Sequence, residues 1–219
     1  MDKPLLIEYY TDILCVWAWI AQRRVDELEA EYGDRVCFRR RYIDLFGDTK
    51  NRMQEHWADR GSYDGFREHV CQAVTPYDSA PVSKGVWSAC RPTTSGNAHL
   101  VIKAVELSCG EDAATRLALD IRKAFFVDAL DISRLDLLME LVKTQQTDHQ
   151  AVWEAINCGT ATASVMNDYQ RAKNQGIKGS PSYVIDGGRQ TLYGNVGFRV
   201  LHANINELLK NPEDEASWC

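Results

Sequence analysis

The stretch YTDILCVWAWIA, residues 10–21, joins a strand-like run to a helix-like one and sets Cys15 at the junction. Upstream, LLIEYYTD alternates and is rich in strand formers, which predicts a strand over residues 5–11. Downstream, Ile20, Val25 and Leu28 recur at helical spacing until Gly33, which predicts a helix closed by glycine. RVCFRRRYIDL then reads as a second strand. Residues 5–45 thus form a β-α-β unit with an expected right-handed crossover.

A residue at the amino end of a helix faces unpaired backbone N–H groups and about half a positive charge. A thiol there ionises more easily, its pKa falling from ~8.5 to about 3.5–7.5, and the thiolate is the attacking species. Cys15 is therefore expected to be depressed in pKa. Asp12, three residues earlier, opposes this if it points inward. Trp17 and Trp19 shield the neighbourhood or offer a substrate face. Ala18 stands where a second sulfur three residues on would close a disulfide.

An isolated cysteine is more often a buried structural thiol, so Cys15 needs a second element. GSPSY, residues 179–183, supplies one. Pro181 lies directly before a third strand, where its missing N–H forbids an ordinary ladder position and a cis Ser180–Pro181 bond fits. SPSYVIDGGRQTLYGN then reads as a hairpin turning at Gly187 and Gly188. VGFRVLHANINELLK follows as an amphipathic helix through Val200, Ile205, Leu208 and Leu209.

Between these ends the chain reads as mainly helical. Polar, turn-rich connections come first, followed by helical segments. One carries Leu100, Ala104 and Leu107 on a face and stops at Gly110; the next carries Leu117, Ile121 and Phe125. A capping box is expected at Ser133 and Asp136. Two further helices follow, the last closed by Gly176. The organisation is a discontinuous core, residues 1–45 and 176–211, interrupted by a helical insertion over 46–175.

Composition bounds the function. In 219 residues, 45% are hydrophobic and 26% charged, an ordinary globular balance that supports a real core. A formal charge of −6 offers no general attraction to phosphate backbones or anionic lipid, and the RRR run at 39–41 reads as a solvated face or strand-end cluster. Neither nucleic acid nor a membrane is expected as a partner. The longest apolar run is short of the ~20 residues a membrane helix needs, and no signal peptide is read at the start, so the cytoplasm is the expected location. Seven cysteines, irregularly spaced, suggest no disulfide framework. Cys37, Cys71, Cys109 and Cys158 read as small buried hydrophobes, and Cys219 is terminal. The five histidines show no paired metal spacing, and no metal is expected; His99 reads as a packing or capping residue.

YYTDILCVWAWIAQRRVDEL, NAHLVIKA, FFVDALDIS and GIKGSPSYVIDGGRQTLYGN resemble DsbA-like thioredoxin-fold proteins, particularly the FrnE-like oxidoreductases. Kappa-class glutathione transferases and 2-hydroxychromene-2-carboxylate isomerases are similar relatives. The resemblance implies an α/β thioredoxin-like fold with a large helical insertion. It puts Cys15 at the nucleophile or glutathione-contacting position, with Trp17, Ser180 and Pro181 as substrate or glutathione contacts. Two departures matter: where the oxidoreductases usually show Cys-Pro-Trp-Cys, this chain has CVWA. Val16 replaces the proline and Ala18 the resolving cysteine. A monothiol thiol-disulfide oxidoreductase with glutathione as co-substrate, and no permanently bound cofactor, is the leading expectation. The alternatives are a glutathione-dependent isomerase or transferase on an aromatic small molecule, and a redox-inactive peptide-binding protein. Related folds often pair into homodimers.

Overall fold

The computed structural model describes residues 3–145 and 147–210. In chain order the elements are β1 (Leu5–Thr11), α1 (Val16–Tyr32), β2 (Val36–Tyr42), α2 (Thr49–Glu55), α3 (Ser62–Val74), α4 (Gly96–Cys109), α5 (Glu111–Phe126), α6 (Leu135–Thr144), α7 (His149–Asn157), α8 (Thr160–Asn174), β3 (Ser182–Ile185), β4 (Gln190–Tyr193) and α9 (Phe198–Leu209). The sheet runs β2-β1-β3-β4, with β1 parallel to β2 and both β1–β3 and β3–β4 antiparallel. This is a thioredoxin-like sheet with a helix-rich insertion after β2.

The period-2 pattern of β1 splits its side chains between two faces. Ile7 and Tyr9 pack with Val25 and Leu28 of α1 and with Leu201 and Ile205 of α9. Tyr10 packs on the other face with Ala172, Ile177 and Val184. α8, which by sequence falls within the insertion, thus covers the second face of the sheet. α1 stops at Gly33, whose φ of 51° suits glycine and whose N–H is taken by the Glu29 carbonyl. Among the described residues no helix is long and apolar enough to cross a membrane.

Charge, not only apolar packing, ties α8 down. The Asp168 carboxylate accepts from Arg41 at 2.9 Å and from the Tyr42 amide at 3.2 Å, and lies 3.0 Å from the Lys103 ammonium. Glu8 accepts from Arg171 at 2.8 and 3.0 Å. The RRR run is therefore not simply a solvated face: Arg39 is exposed, but Arg40 pairs with Glu29 and Arg41 with Asp168 and Glu8.

Other local expectations also change. The capping box at Ser133 does not form. α6 begins at Leu135, and Ser133 instead donates its amide and hydroxyl to the Asp131 carboxylate. Leu107 is 54% exposed, so the buried face of α4 runs through Ala98, Val101, Ile102, Ala104 and Val105. Val200 is likewise exposed, while Ile205 and Leu208 are buried.

Candidate active site

β1 ends at Thr11, and the next four residues make the turn that starts α1. The Cys15 amide donates to the Asp12 carbonyl at 3.1 Å, and the Leu14 amide donates to Asp12 Oδ1 at 3.0 Å. Cys15 is the N-cap of α1 in an extended conformation, with φ −78° and ψ 117°, and its carbonyl accepts from the Trp19 amide. The Ser180–Pro181 bond is cis. The structure brings the two elements together: Cys15 Sγ donates to the Ser180 carbonyl at 3.1 Å, and the Asp12 amide donates to Ser180 Oγ at 3.0 Å. Behind the loop, the Gly194 amide donates to the Pro181 carbonyl at 2.8 Å. Trp17 is half-buried and meets the edge of the His69 ring, centroids 6.0 Å apart. α3 thus packs against the start of α1, and Trp57 also meets the His69 ring, centroids 5.3 Å apart.

The expected depression of the Cys15 pKa is overturned. Cys15 is 6% exposed, and its thiol is pushed up, first by burial. The Ser180 side chain and the amides of Ala18 and Trp17 favour the thiolate, but the Asp12 charge opposes them. The helix start therefore acts as reasoned, and desolvation outweighs it.

Asp12 points fully inward. Besides Leu14, its carboxylate accepts from the amides of Leu45 (3.1 Å) and Phe46 (3.0 Å) and from Ser95 Oγ (2.9 Å). Burial raises its pKa, and those donors work against the rise. One carboxylate therefore binds the Cys15 turn, the loop after β2 and the start of α4. His99 stands next to it, with Nε2 accepting from the Ile13 amide at 3.3 Å and Nδ1 2.8 Å from Tyr169 Oη. An accepting Nε2 fixes the neutral tautomer with its proton on Nδ1. Burial, then the charge of Arg122, pushes the His99 pKa down to about 3. His99 thus packs, as its sequence context suggested, and also shapes the turn. Sequence reasoning passed over Ser95, Tyr169 and Arg122. Of these only Arg122 leaves a signal, a charge beside Ile121 on the apolar stripe of α5.

The described cysteines are free thiols. The reading of four of them as buried hydrophobes fails: Cys71 and Cys158 are exposed, and Cys37 and Cys109 are half-buried. Hydrogen bonding to Thr160 lowers the Cys158 pKa. Cys90 is buried and pushed up to about 11. Cys219 lies outside the described residues. Among the described residues no cluster of three or more His, Cys, Asp or Glu is placed to hold a metal ion.

A helix-start cysteine against a cis-proline loop, on a sheet carrying a helical insertion, defines a thioredoxin-like fold with a helix-rich insertion. The chain belongs to the Thioredoxin family, whose family model matches residues 9–194. It is 26% identical over 187 residues to the ClpXP adapter protein SpxH of Halalkalibacterium halodurans, covering 83% of this chain and 58% of that protein. The chain thus spans little more than half the length of the curated relative it matches. Among solved structures, a putative protein disulfide isomerase from Nitrosomonas europaea aligns with TM-score 0.76 at 16% identity, covering 95% of this chain and 99% of that one. The cytosolic disulfide reductase DsbM from Pseudomonas aeruginosa, in its structure with GSH, aligns with TM-score 0.70 at 16% identity, over 94% of this chain and 100% of that one. A 2-hydroxychromene-2-carboxylate isomerase aligns with TM-score 0.65 at 18% identity, over 97% of this chain and 100% of that one. At these identities the structures show a shared fold.

Proposed function

We propose that the protein carries out thiol-disulfide exchange at Cys15 as a monothiol, with glutathione as the second thiol. The observation that carries this reading is the 3.1 Å contact between Cys15 Sγ and the Ser180 carbonyl beside cis Pro181. It sets the sulfur against a backbone carbonyl of the buried cis-proline loop, and that contact is the one the amide of an extended substrate would replace. In the free protein the thiol proton is held on that carbonyl. A substrate amide that takes the Ser180 carbonyl removes the acceptor, and the proton leaves to water. The sulfur then faces the Ala18 and Trp17 amides, which favour the thiolate.

The thiolate attacks one sulfur of a substrate disulfide. A Cys15–substrate disulfide forms and the second substrate sulfur departs as thiolate. Ala18 has no sulfur to break this bond from within. A glutathione thiolate attacks instead, frees Cys15 and leaves with the substrate sulfur as a mixed disulfide. Each step exchanges one S–S bond for another, so electrons balance without a further oxidant or reductant. The exchange calls for no bound cofactor or metal. The relatives described as a cytosolic disulfide reductase and as a structure with GSH support this reading, and with it a reducing compartment for this protein.

The raised Cys15 pKa and the likeness to an adapter protein favour a second reading, a thioredoxin fold that binds a partner peptide on the loop without turnover. Incubation of the reduced protein with oxidised glutathione, followed by mass mapping, separates the two. A glutathione adduct at Cys15, removed by added glutathione and absent in Cys15→Ser, is expected. Labelling confined to exposed Cys71 and Cys158 would leave only the binding reading.

A further inference from the structure

The turn that carries Cys15 is flanked by two buried charges that make no ion pair with each other. Asp12 is one, held by neutral donors. The other is Arg122 of α5, 2% exposed. Arg122 donates to Thr11 Oγ1 at 2.8 Å and to Gln22 Oε1 at 3.0 Å, both neutral acceptors. Among the described residues it has no carboxylate partner, and its Nε has no hydrogen-bond partner. A buried guanidinium without a counter-charge is costly, and stability alone would favour an apolar side chain there.

Its position offsets that cost with a structural role at the turn. Thr11 is the last residue of β1, immediately before the turn, and Gln22 lies two helical turns beyond Cys15 on α1. Arg122 therefore grips the chain on both sides of the nucleophile. Its charge bears on three buried rings. It opposes the upward push of burial on Tyr9 of β1 and Tyr42 of β2, and adds to the downward push of burial on His99 of α4. His99 Nε2 lies 3.9 Å from Asp12 Oδ1, and Tyr9 feels the Cys15 charge directly. The ionisable groups around the turn include Tyr9 and Asp12 from β1 and the turn, Arg40 and Tyr42 from β2, Asp44 from the loop after it, His99, Lys103 and Glu106 from α4, Asp168 and Tyr169 from α8 and Arg122 from α5. Arg40 is engaged by Glu29.

We propose that Arg122 is a positioning residue for Cys15, clasping the turn through Thr11 and Gln22 and supplying the buried positive charge that balances Asp12 when the sulfur ionises. The inference rests on Cys15 being the reacting sulfur. Without Arg122, ionising Cys15 would place a second buried negative charge near Asp12 with only neutral hydrogen-bond donors to offset the pair.

The test is the pH dependence of Cys15 alkylation by iodoacetamide, read site by site in the full chain by mass spectrometry. Exposed Cys158 serves as internal reference. In Arg122→Met the Cys15 midpoint is expected to rise by about one pH unit, roughly tenfold less thiolate at a fixed lower pH. Arg122→Lys, which keeps the charge, should return most of that shift. Cys158 should not move in either. Should Arg122→Met fail to fold, Arg122→Gln, which removes the charge but keeps an amide donor, is read in its place. A folded, uncharged variant whose Cys15 midpoint stays at the wild-type value overturns the role of Arg122, whatever its melting temperature. Failure of wild-type Cys15 to react with oxidised glutathione would instead remove the exchange reading, and the alkylation midpoints would still report on Arg122.

Discussion

His99 and Asp12 impose opposite pH dependences on the same turn. Burial and the Arg122 charge push the His99 pKa from the ordinary 6.5 down to about 3 in the folded chain. Below about pH 6.5 the unfolded chain therefore takes up a proton that the folded chain refuses. The stabilisation from His99 is complete above that pH and is lost as pH falls toward 3, amounting to about 2 kcal/mol by pH 5. Asp12 has the reverse sign: its folded pKa is raised, so its contribution is largest in acid and declines as pH climbs through the folded value. His99→Gln, which can still accept from Ile13 and donate to Tyr169, is expected to flatten the acid limb of a urea-midpoint profile between pH 5 and 7. An unchanged limb would show that other groups set it. Cys15 and Asp12 were both visible in the sequence as candidates, but the winner between helix-start activation and desolvation was not. That outcome depends on the burial of Cys15 in the folded chain, where its sulfur meets Ser180, 165 residues away.

Among the elements, α1 and the loop before β3 carry the proposed chemistry. Ala18 is buried one turn beyond Cys15, on the first turn of the helix whose N-cap residue is Cys15. Ala18→Cys restores the four-residue spacing that closes a disulfide within the turn. The variant is expected to bond its introduced sulfur to Cys15 on mild oxidation. It should also release a glutathione adduct from Cys15 without added thiol, since an intramolecular sulfur acts at an effective concentration of at least millimolar order. Persistence of the adduct in that variant, measured by intact mass, would show that the turn cannot bring the two sulfurs together. These two elements were legible because their signals are local: alternation in β1, spacing along α1, and a proline ahead of a short strand. α3 and its His69–Trp57 contact were not, because residues 46–75 lack a clean apolar stripe and their helices are fixed by packing on Phe46, Phe66 and Trp87.

In the molecule as a whole, α8 joins the sheet to the other helices through a chain of buried charges. Lys103 and Asp168 are each 1% exposed and share an ion pair that also reaches Arg41. Asp168→Asn partly strands both cations, leaving Lys103 to Glu106 and Arg41 to Glu8, and is expected to cost about 2–3 kcal/mol in chemical denaturation, whereas a paired Lys103→Met, Asp168→Leu change should cost less. Equal losses in the two would remove charge stranding as the cause. This network was opaque in the sequence, where Arg41 sat within a basic run and Asp168 within a polar helix face; only the topology unites them. Ala18 carries a last consequence at this scale. Two electrons can be stored across a pair of sulfurs, but the α1 turn offers one. If Cys15 reacts as proposed, each encounter leaves the protein either bare or capped, and it has no oxidised form of its own to hand on. Its working rate would then follow the concentration of small thiols around it, so that the state of the surroundings, and not of the protein, sets the direction of exchange.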